Sequence, residues 1–232
     1  PGVCPDLEDL RMLEEYGRAA GLLTVALADV PLEDAVIDWL GDPLQVPGVA
    51  DIGDLCDELC AAGISSAEDV ALLAASAERV GREWAAHREA LPVQVIHGDL
   101  AGSNALADPD TGRVIALLDF EFVGVGWRVQ EFLAALFNSP TLGADDWALR
   151  TAAFARGYAS ACRLEPAEIA ALPGLLRARS FGSVLWRASR WRAGTARHYE
   201  VAGRISRLRA VTDWLAANGD TFQSLVAAAD DD

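Results

Sequence analysis

The sequence predicts a mainly α-helical chain with one small antiparallel β-hairpin, and three observations carry that prediction. Apolar residues recur at three- and four-residue steps through the first ninety residues and again from Arg128 onward, the period of helices with one buried face. Between these stretches lie three short β-type runs, 93–96, 104–107 and 113–118. The last two flank Asp108-Pro109-Asp110-Thr111-Gly112, in which Asp, Pro and Gly each favour a turn for a different backbone reason.

Taken in order, Asp6 to about Ala28 places Leu7, Leu10, Leu13, Tyr16, Ala20 and Leu23 on one stripe, and Pro31 breaks it. Leu32 to Leu40 reads as a short helix, and the Gly/Pro-rich 41–48 as a loop. Asp51 to Ala62 is helical and stops at Gly63. Ser65 or Ser66 then caps a long helix to about Ala90, with Glu68 three residues after Ser65 forming a capping box. The character changes at Pro92, where Val93-Gln94-Val95-Ile96 leads into His97-Gly98-Asp99. Helices return at about 128–138, 144–162, 166–193 and 196–217, with a last turn or two before Asp230-Asp231-Asp232. No repeat or low-complexity linker divides the chain, so it reads as a single lobe: helical over 1–91, loop and hairpin over 92–127, helical over 128–232.

Composition narrows the partners. The chain has 232 residues, enough for a sizeable core, and 52% hydrophobic against 23% charged residues is a globular mixture. Its 35 acids and 19 basic residues leave a net charge of −16, which opposes nucleic acid and anionic membrane surfaces. No apolar run is long enough to span a bilayer and no signal peptide opens the chain, which predicts a cytoplasmic protein. Cys56 and Cys60 share a helix face, but His87, His97 and His198 offer no matching ligand spacing, so buried thiols are expected rather than zinc. All 19 basic residues are arginine; there is no lysine.

The chemistry concentrates in the loop and hairpin. If Asp108 faces Arg113, antiparallel counting puts Asn104 opposite Leu117 and Asp119 just beyond the same open end; facing Cα atoms in such a ladder sit roughly 4.5–5.5 Å apart, so Asn104 and Asp119 can converge on one ion. Asp99 enters this hairpin. Magnesium takes hard oxygens, one or two carboxylates plus substrate phosphates and water, a role suited to Asn104 and Asp119. An acceptor hydroxyl must be positioned and relieved of its proton by an unliganded carboxylate, which suits Asp99. His97 is expected to order the loop rather than transfer protons.

His97-Gly98-Asp99-Leu100 with Asn104 five residues after the Asp resembles the catalytic loop of the aminoglycoside phosphotransferase/choline kinase family, which has a protein-kinase-like fold. Leu118-Asp119-Phe120-Glu121 resembles that family's metal-binding segment, and Gly17-Arg18-Ala19-Ala20-Gly21-Leu22-Leu23 the first helix of its C-terminal lobe. The resemblance covers that lobe and nearly the whole chain. It implies a phosphotransferase with Asp99 as catalytic base, Asn104 and Asp119 holding Mg²⁺ and contacting the nucleotide, ATP or GTP as donor, and a small hydroxylated acceptor. Aminoglycosides, choline, homoserine, sugars and macrolides are acceptors in that family, and the net negative charge is compatible with cationic ones.

Departures accompany the likeness. Ala101-Gly102 stand where the family often has a His-Pro pair, and Glu131 stands where many members carry an Asp. A glycine-rich phosphate loop, a five-stranded sheet and the nucleotide lysine are absent. The resemblance therefore implies a C-terminal lobe whose N-terminal nucleotide lobe lies outside these residues, with Pro1 the start of a processed or excerpted chain and the isolated lobe nearly inactive. A non-catalytic, pseudokinase-like binding or regulatory module is the alternative. Glu121 could meet a cationic substrate or be a solvated carboxylate. Glu131 is expected to complement a helix dipole. Trp186-Arg187-Ala188-Ser189-Arg190-Trp191-Arg192 is expected to be a helix with buried Trp and solvated Arg, and Trp147, Tyr158 and Trp214 are expected in the core.

Overall fold

Helix α1 (Leu10–Leu27) starts where the Asp9 carboxylate accepts the amides of Arg11 and Met12, one turn later than its apolar stripe suggests. A computed structural model describes residues 2–35, 37, 42–87 and 89–229. In chain order the described elements continue as α2 (Ile52–Ala61), α3 (Ala67–His87), β1 (Val93–Ile96), β2 (Ala105–Ala107), β3 (Val114–Leu117), β4 (Gly124–Trp127), α4 (Val129–Phe137), α5 (Trp147–Ala159), α6 (Pro166–Arg192) and α7 (His198–Ala228). The mainly helical fold with small antiparallel strand pairs agrees with the sequence. Two compact units interleave along the chain: Pro1–Gly41, Ala90–Leu172 and Asn218–Asp232 in the first, Asp42–Glu89 and Pro173–Ala217 in the second. The chain passes between them at four points, so no single linker stretch marks their border in the sequence.

In the first unit α1 and α5 touch backbone to backbone. A Cβ on Gly17 would sit 2.2 Å from the Phe154 carbonyl, one on Gly21 2.6 Å from that of Tyr158, and one on Gly157 1.8 Å from that of Glu14. Beside this crossing Phe132 meets Phe154 and Tyr158 edge to face, with ring centroids 5.2 and 5.0 Å apart. Burial holds the Tyr158 hydroxyl protonated well above its ordinary range, and it donates to Thr24 Oγ1 at 3.0 Å. Gln94 Nε2 donates to the Thr24 carbonyl at 2.8 Å, tying β1 to α1. The sheets are two pairs: β1 with β4, from Val93↔Trp127 to Ile96↔Gly124, and β2 with β3.

Two expectations change here. The helix expected from Leu32 to Leu40 is one 3₁₀ turn, Leu32–Asp34, after which Ile37 bridges β4 in parallel. The free backbone edge of β4 gives Ile37 two hydrogen bonds, to Val123 and Val125, that a helix would forgo; residues 36 and 38–40 lie outside those described. And α7 continues past 217, because Phe222 is buried and Gln223 donates to the carbonyls of Ile169 and Ala170 at 3.1 and 3.0 Å.

In the second unit the capping box of α3 is formed by Ser66 and Asp69, whose side chains accept each other's amides, rather than by Ser65 and Glu68. The Trp/Arg stretch is also corrected. Trp186 is 40% exposed with Arg190 stacked 6.0 Å from its ring centroid, while Arg187 pairs with Glu200 at 3.1 Å and Arg192 with Glu58 at 2.7 Å. Carboxylates within reach hold the guanidinium groups, leaving the indole to cover the outer surface. Cys56 is buried but Cys60 is exposed. Of the aromatics expected in the core, Tyr158 is buried, whereas Trp147 and Trp214 are half-buried.

Gly157→Ala is expected to destabilise the protein by about 1–3 kcal/mol, the cost of overpacking a tight contact. Gly203→Ala, on an open face of α7 with no atom within 4 Å of the new methyl, should be neutral or stabilising. Thermal denaturation of the two variants checks this; equal midpoints would contradict the α1–α5 contact.

Candidate active site

The site begins with a buried carboxylate. Glu131, in the first turn of α4, is fully buried and accepts the backbone amides of His97 and of Gly98, the latter at 3.3 Å. Those two N–H groups belong to a loop that leaves β1 and turns at Gly98, whose φ of +79° favours a residue without Cβ. The carboxylate thus binds this loop more specifically than the expected dipole role: it replaces the water these amides lose on burial.

His97 is fully buried and links the loop to the far strand. Its Nε2 lies 3.0 Å from the Leu118 carbonyl, an acceptor only, so the ring proton sits there; Nδ1 accepts the Asp99 amide at 3.3 Å. Both nitrogens are committed, Nδ1 within the loop and Nε2 to Leu118. The Phe120 ring packs edge-on against the imidazole with centroids 4.7 Å apart.

These contacts hold Asp119 from both sides. Asp119 is the one described non-glycine residue with positive φ, at φ 66° and ψ 66°. Such a conformation costs of order 1–3 kcal/mol and persists where neighbours over-determine it. Here they are His97 on the Leu118 carbonyl, the Asn104 carbonyl on the Leu118 amide at 2.8 Å, and the Phe120 ring contact.

The structure gathers Asp99, Asn104 and the hairpin end bearing Asp119 along one edge. Asn104 Nδ2 donates to the Asp99 carbonyl at 3.1 Å, and its main chain pairs with Leu118. Asp99 is half-buried and Asp119 exposed, while Glu121 is exposed on the turn Phe120–Phe122. The counting that set Asn104 against Leu117 is off by one: Ala105 faces Leu117, because a bulge between Leu106 and Ala107 adds Ile115 to the β3 side. One residue was missed. Asn138, capping the end of α4, donates to the Leu100 carbonyl at 2.9 Å and approaches Asp99 Oδ1 at 3.4 Å; an Asn at a helix end reads as an ordinary cap, so only the fold reveals this.

The donor chemistry fits a divalent cation completed by phosphate. With Asn104 Nδ2 bonded to Asp99, Asn104 Oδ1 accepts the exposed Ser103 hydroxyl at 3.3 Å, and Asp119 offers an exposed carboxylate, so the edge carries two hard oxygens. Among the described residues no three His, Cys, Asp or Glu side chains converge as a metal cage. Two protein oxygens suit magnesium that arrives with nucleotide phosphates and keeps its waters. No described helix is long and apolar enough to cross a membrane.

Comparison with known proteins bears on the family and the fold. Residues 6–175 match the model of a phosphotransferase enzyme family. Among solved structures, a microcompartment-associated aminopropanol kinase superposes with a TM-score of 0.63 at 21% identity, covering 95% of this chain and 65% of that one. A choline/ethanolamine kinase family protein from Mesorhizobium loti gives 0.58 at 16%, covering 100% and 72%. An amicoumacin kinase in complex with AMP-PNP and Ca²⁺ gives 0.58 at 15%, covering 88% and 59%. At these identities the likeness is one of fold. The chain spans about three fifths of the amicoumacin kinase and under two thirds of the aminopropanol kinase. No curated protein sequence matches it.

Glu131→Gln places an N–H₂ group against one of the two amides and is expected to cost about 1–3 kcal/mol. Its local signature is faster hydrogen exchange at His97 and Gly98 with α5 unchanged; unaltered exchange there would contradict the clamp.

Proposed function

The chain belongs to the phosphotransferase enzyme family, and on that premise we propose that it is the catalytic and acceptor-binding lobe of a small-molecule kinase. The reaction is transfer of the γ-phosphoryl group of ATP or GTP to a hydroxyl of a small molecule. The observation that carries this is the shared edge: Asn104 bonded to the Asp99 main chain on one side and to the strand entering Asp119 on the other.

In this scheme Asp99 accepts the acceptor's hydroxyl proton as the new O–P bond forms and the bond from the γ-phosphorus to the bridging oxygen breaks, releasing the nucleoside diphosphate. Asn138 and Asn104 hold the loop so that the Asp99 carboxylate meets the acceptor in one orientation. Asn104 and Asp119 are the residues that would hold Mg²⁺, which supplies charge neutralisation to the triphosphate oxygens. A lysine on an N-terminal lobe, outside these residues, would clamp the phosphates; the partial coverage of the related kinases supports that arrangement. The solved relatives act on aminopropanol and amicoumacin by name, and an acceptor with a hydroxyl and an amine agrees with a chain of net charge −16. A nucleoside triphosphate donor would place the reaction in the cytoplasm.

Asp99→Asn in the full-length protein is expected to lower kcat by about 10²–10⁴-fold, the usual worth of a general base, with nucleotide affinity retained. Diphosphate release measured across a panel of hydroxylated amines, sugars and macrolides checks this and identifies the acceptor; normal turnover by the variant would overturn the role of Asp99.

A further inference from the structure

Residues 3–8 run along the candidate edge before the chain enters α1. Val3 pairs with Ala107 by two bonds of 2.8 Å, its amide donating to the Ala107 carbonyl and its carbonyl accepting the Ala107 amide. The Cys4 thiol donates to the Gly102 carbonyl at 3.5 Å. The Leu7 side chain lies where a side chain at 102 would go: a Cβ on Gly102 would sit 2.7 Å from Leu7 Cδ1 and 3.3 Å from its Cγ. This stretch therefore meets the chain on both sides of Asn104, at Gly102 and at Ala107.

Gly102 answers to that space and not to its own backbone. It opens the 3₁₀ turn Gly102–Asn104 and is not among the described glycines of positive φ, so its conformation is open to any L residue. A glycine loses the most conformational freedom on ordering, so a turn that begins with one depends on what packs against it. Leu7 is 7% exposed and has little room to withdraw, because Arg150 of α5 holds its main chain. Arg150 Nη1 donates to the Leu7 carbonyl at 3.3 Å, Nη2 pairs with the Glu8 carboxylate at 2.7 Å, and Nε is aligned by Asp146 at 2.6 Å. A proline at 102 would carry its Cβ into the same overlap with Leu7, which accounts for glycine at this departure from the related loop.

We propose that Leu7 is a positioning residue: by filling the space beside Gly102 it sets the 3₁₀ turn that delivers Asn104 to the edge, while Val3 fixes the strand that follows. This rests on the reading of Asn104 as a residue that would hold the metal. Leu7 touches neither metal, nucleotide nor acceptor in this scheme. It acts through the main chain of the turn, which the Asn104 amide closes on the Ala101 carbonyl at 2.9 Å.

The test compares Gly102→Ala, which adds a methyl group against Leu7, with Leu7→Val, which removes one carbon, and with the two together, a swap that nearly conserves volume. In full-length protein with ATP, Mn²⁺ binding read by electron paramagnetic resonance should weaken about tenfold in Gly102→Ala, the lower range for a group behind a metal ligand, and about two- to threefold in Leu7→Val. The double variant should recover to the level of Leu7→Val or better, because the two changes compensate at one contact. Hydrogen exchange at Asn104 should speed up in Gly102→Ala and slow again in the double variant, with the amides of α5 unchanged in both. Normal Mn²⁺ affinity in Gly102→Ala, even with a lowered denaturation midpoint, is what a role in stability alone gives and would overturn the proposal. A double variant as weak as Gly102→Ala, or acceleration of all amides together, would overturn it too. Asn104→Ala and Asp119→Ala separate the two levels. If both bind Mn²⁺ normally, the metal assignment fails and this inference with it; if both bind weakly while Gly102→Ala does not, this inference alone fails.

Discussion

The candidate active edge depends on one buried interaction, the Glu131 carboxylate receiving the amides of His97 and Gly98. A carboxylate removed from water is costly unless its oxygens are bonded, and two amides at a tight turn are equally costly unless something accepts from them. Each requirement answers the other. The rest follows in sequence: with its main chain fixed, the His97 ring is aimed at the Leu118 carbonyl, and that bond, with the Phe120 contact, holds Asp119 in a left-handed conformation it would not adopt alone. A helix belonging to the core thereby governs an exposed carboxylate on the surface.

The loop and the hairpin are registered against the same helical core by separate devices. Glu131 and Asn138 hold the Asp99 side from the two ends of α4, and Glu15 holds the hairpin from α1. The glycine-mediated contact of α1 with α5, and the aromatic cluster of Phe132 with Phe154 and Tyr158, keep those helices in place. Tight packing below and hydrogen bonding above divide the work: the first supplies stability, the second supplies geometry.

Much of this was legible in the sequence where the cause is local. The spacing of Asp99, Asn104 and Asp119 suggests that the loop and the hairpin end share one edge, as they do, and Asp108 forms its turn by accepting the amides of Asp110 and Thr111 as its chemistry predicts. What stayed hidden has distant causes. Gly124-Val125-Gly126-Trp127 has little intrinsic strand character and becomes β4 by pairing with β1 and being buried along its whole length. The outward Val114 amide finds its acceptor in Glu15, 99 residues away in the chain. Glu131 looked like a dipole partner because nothing nearby in sequence reveals two amides arriving from 33 and 34 residues away. Asn218 and Gly219 look like a helix stop, yet α7 runs on because Phe222 and Gln223 find partners in the fold.

The central claim is that Asp99, Asn104 and Asp119 frame a single metal–nucleotide site. The most direct measurement is the Mn²⁺-induced relaxation of backbone amides in full-length protein with ATP, an effect that falls steeply with distance. The account predicts the fastest relaxation at Asp99 to Asn104 and at Leu118 to Phe120, with the acidic turn Asp108 to Gly112 at the other end of the hairpin affected far less. Strongest relaxation at that turn, or at residues remote from both segments, would contradict it.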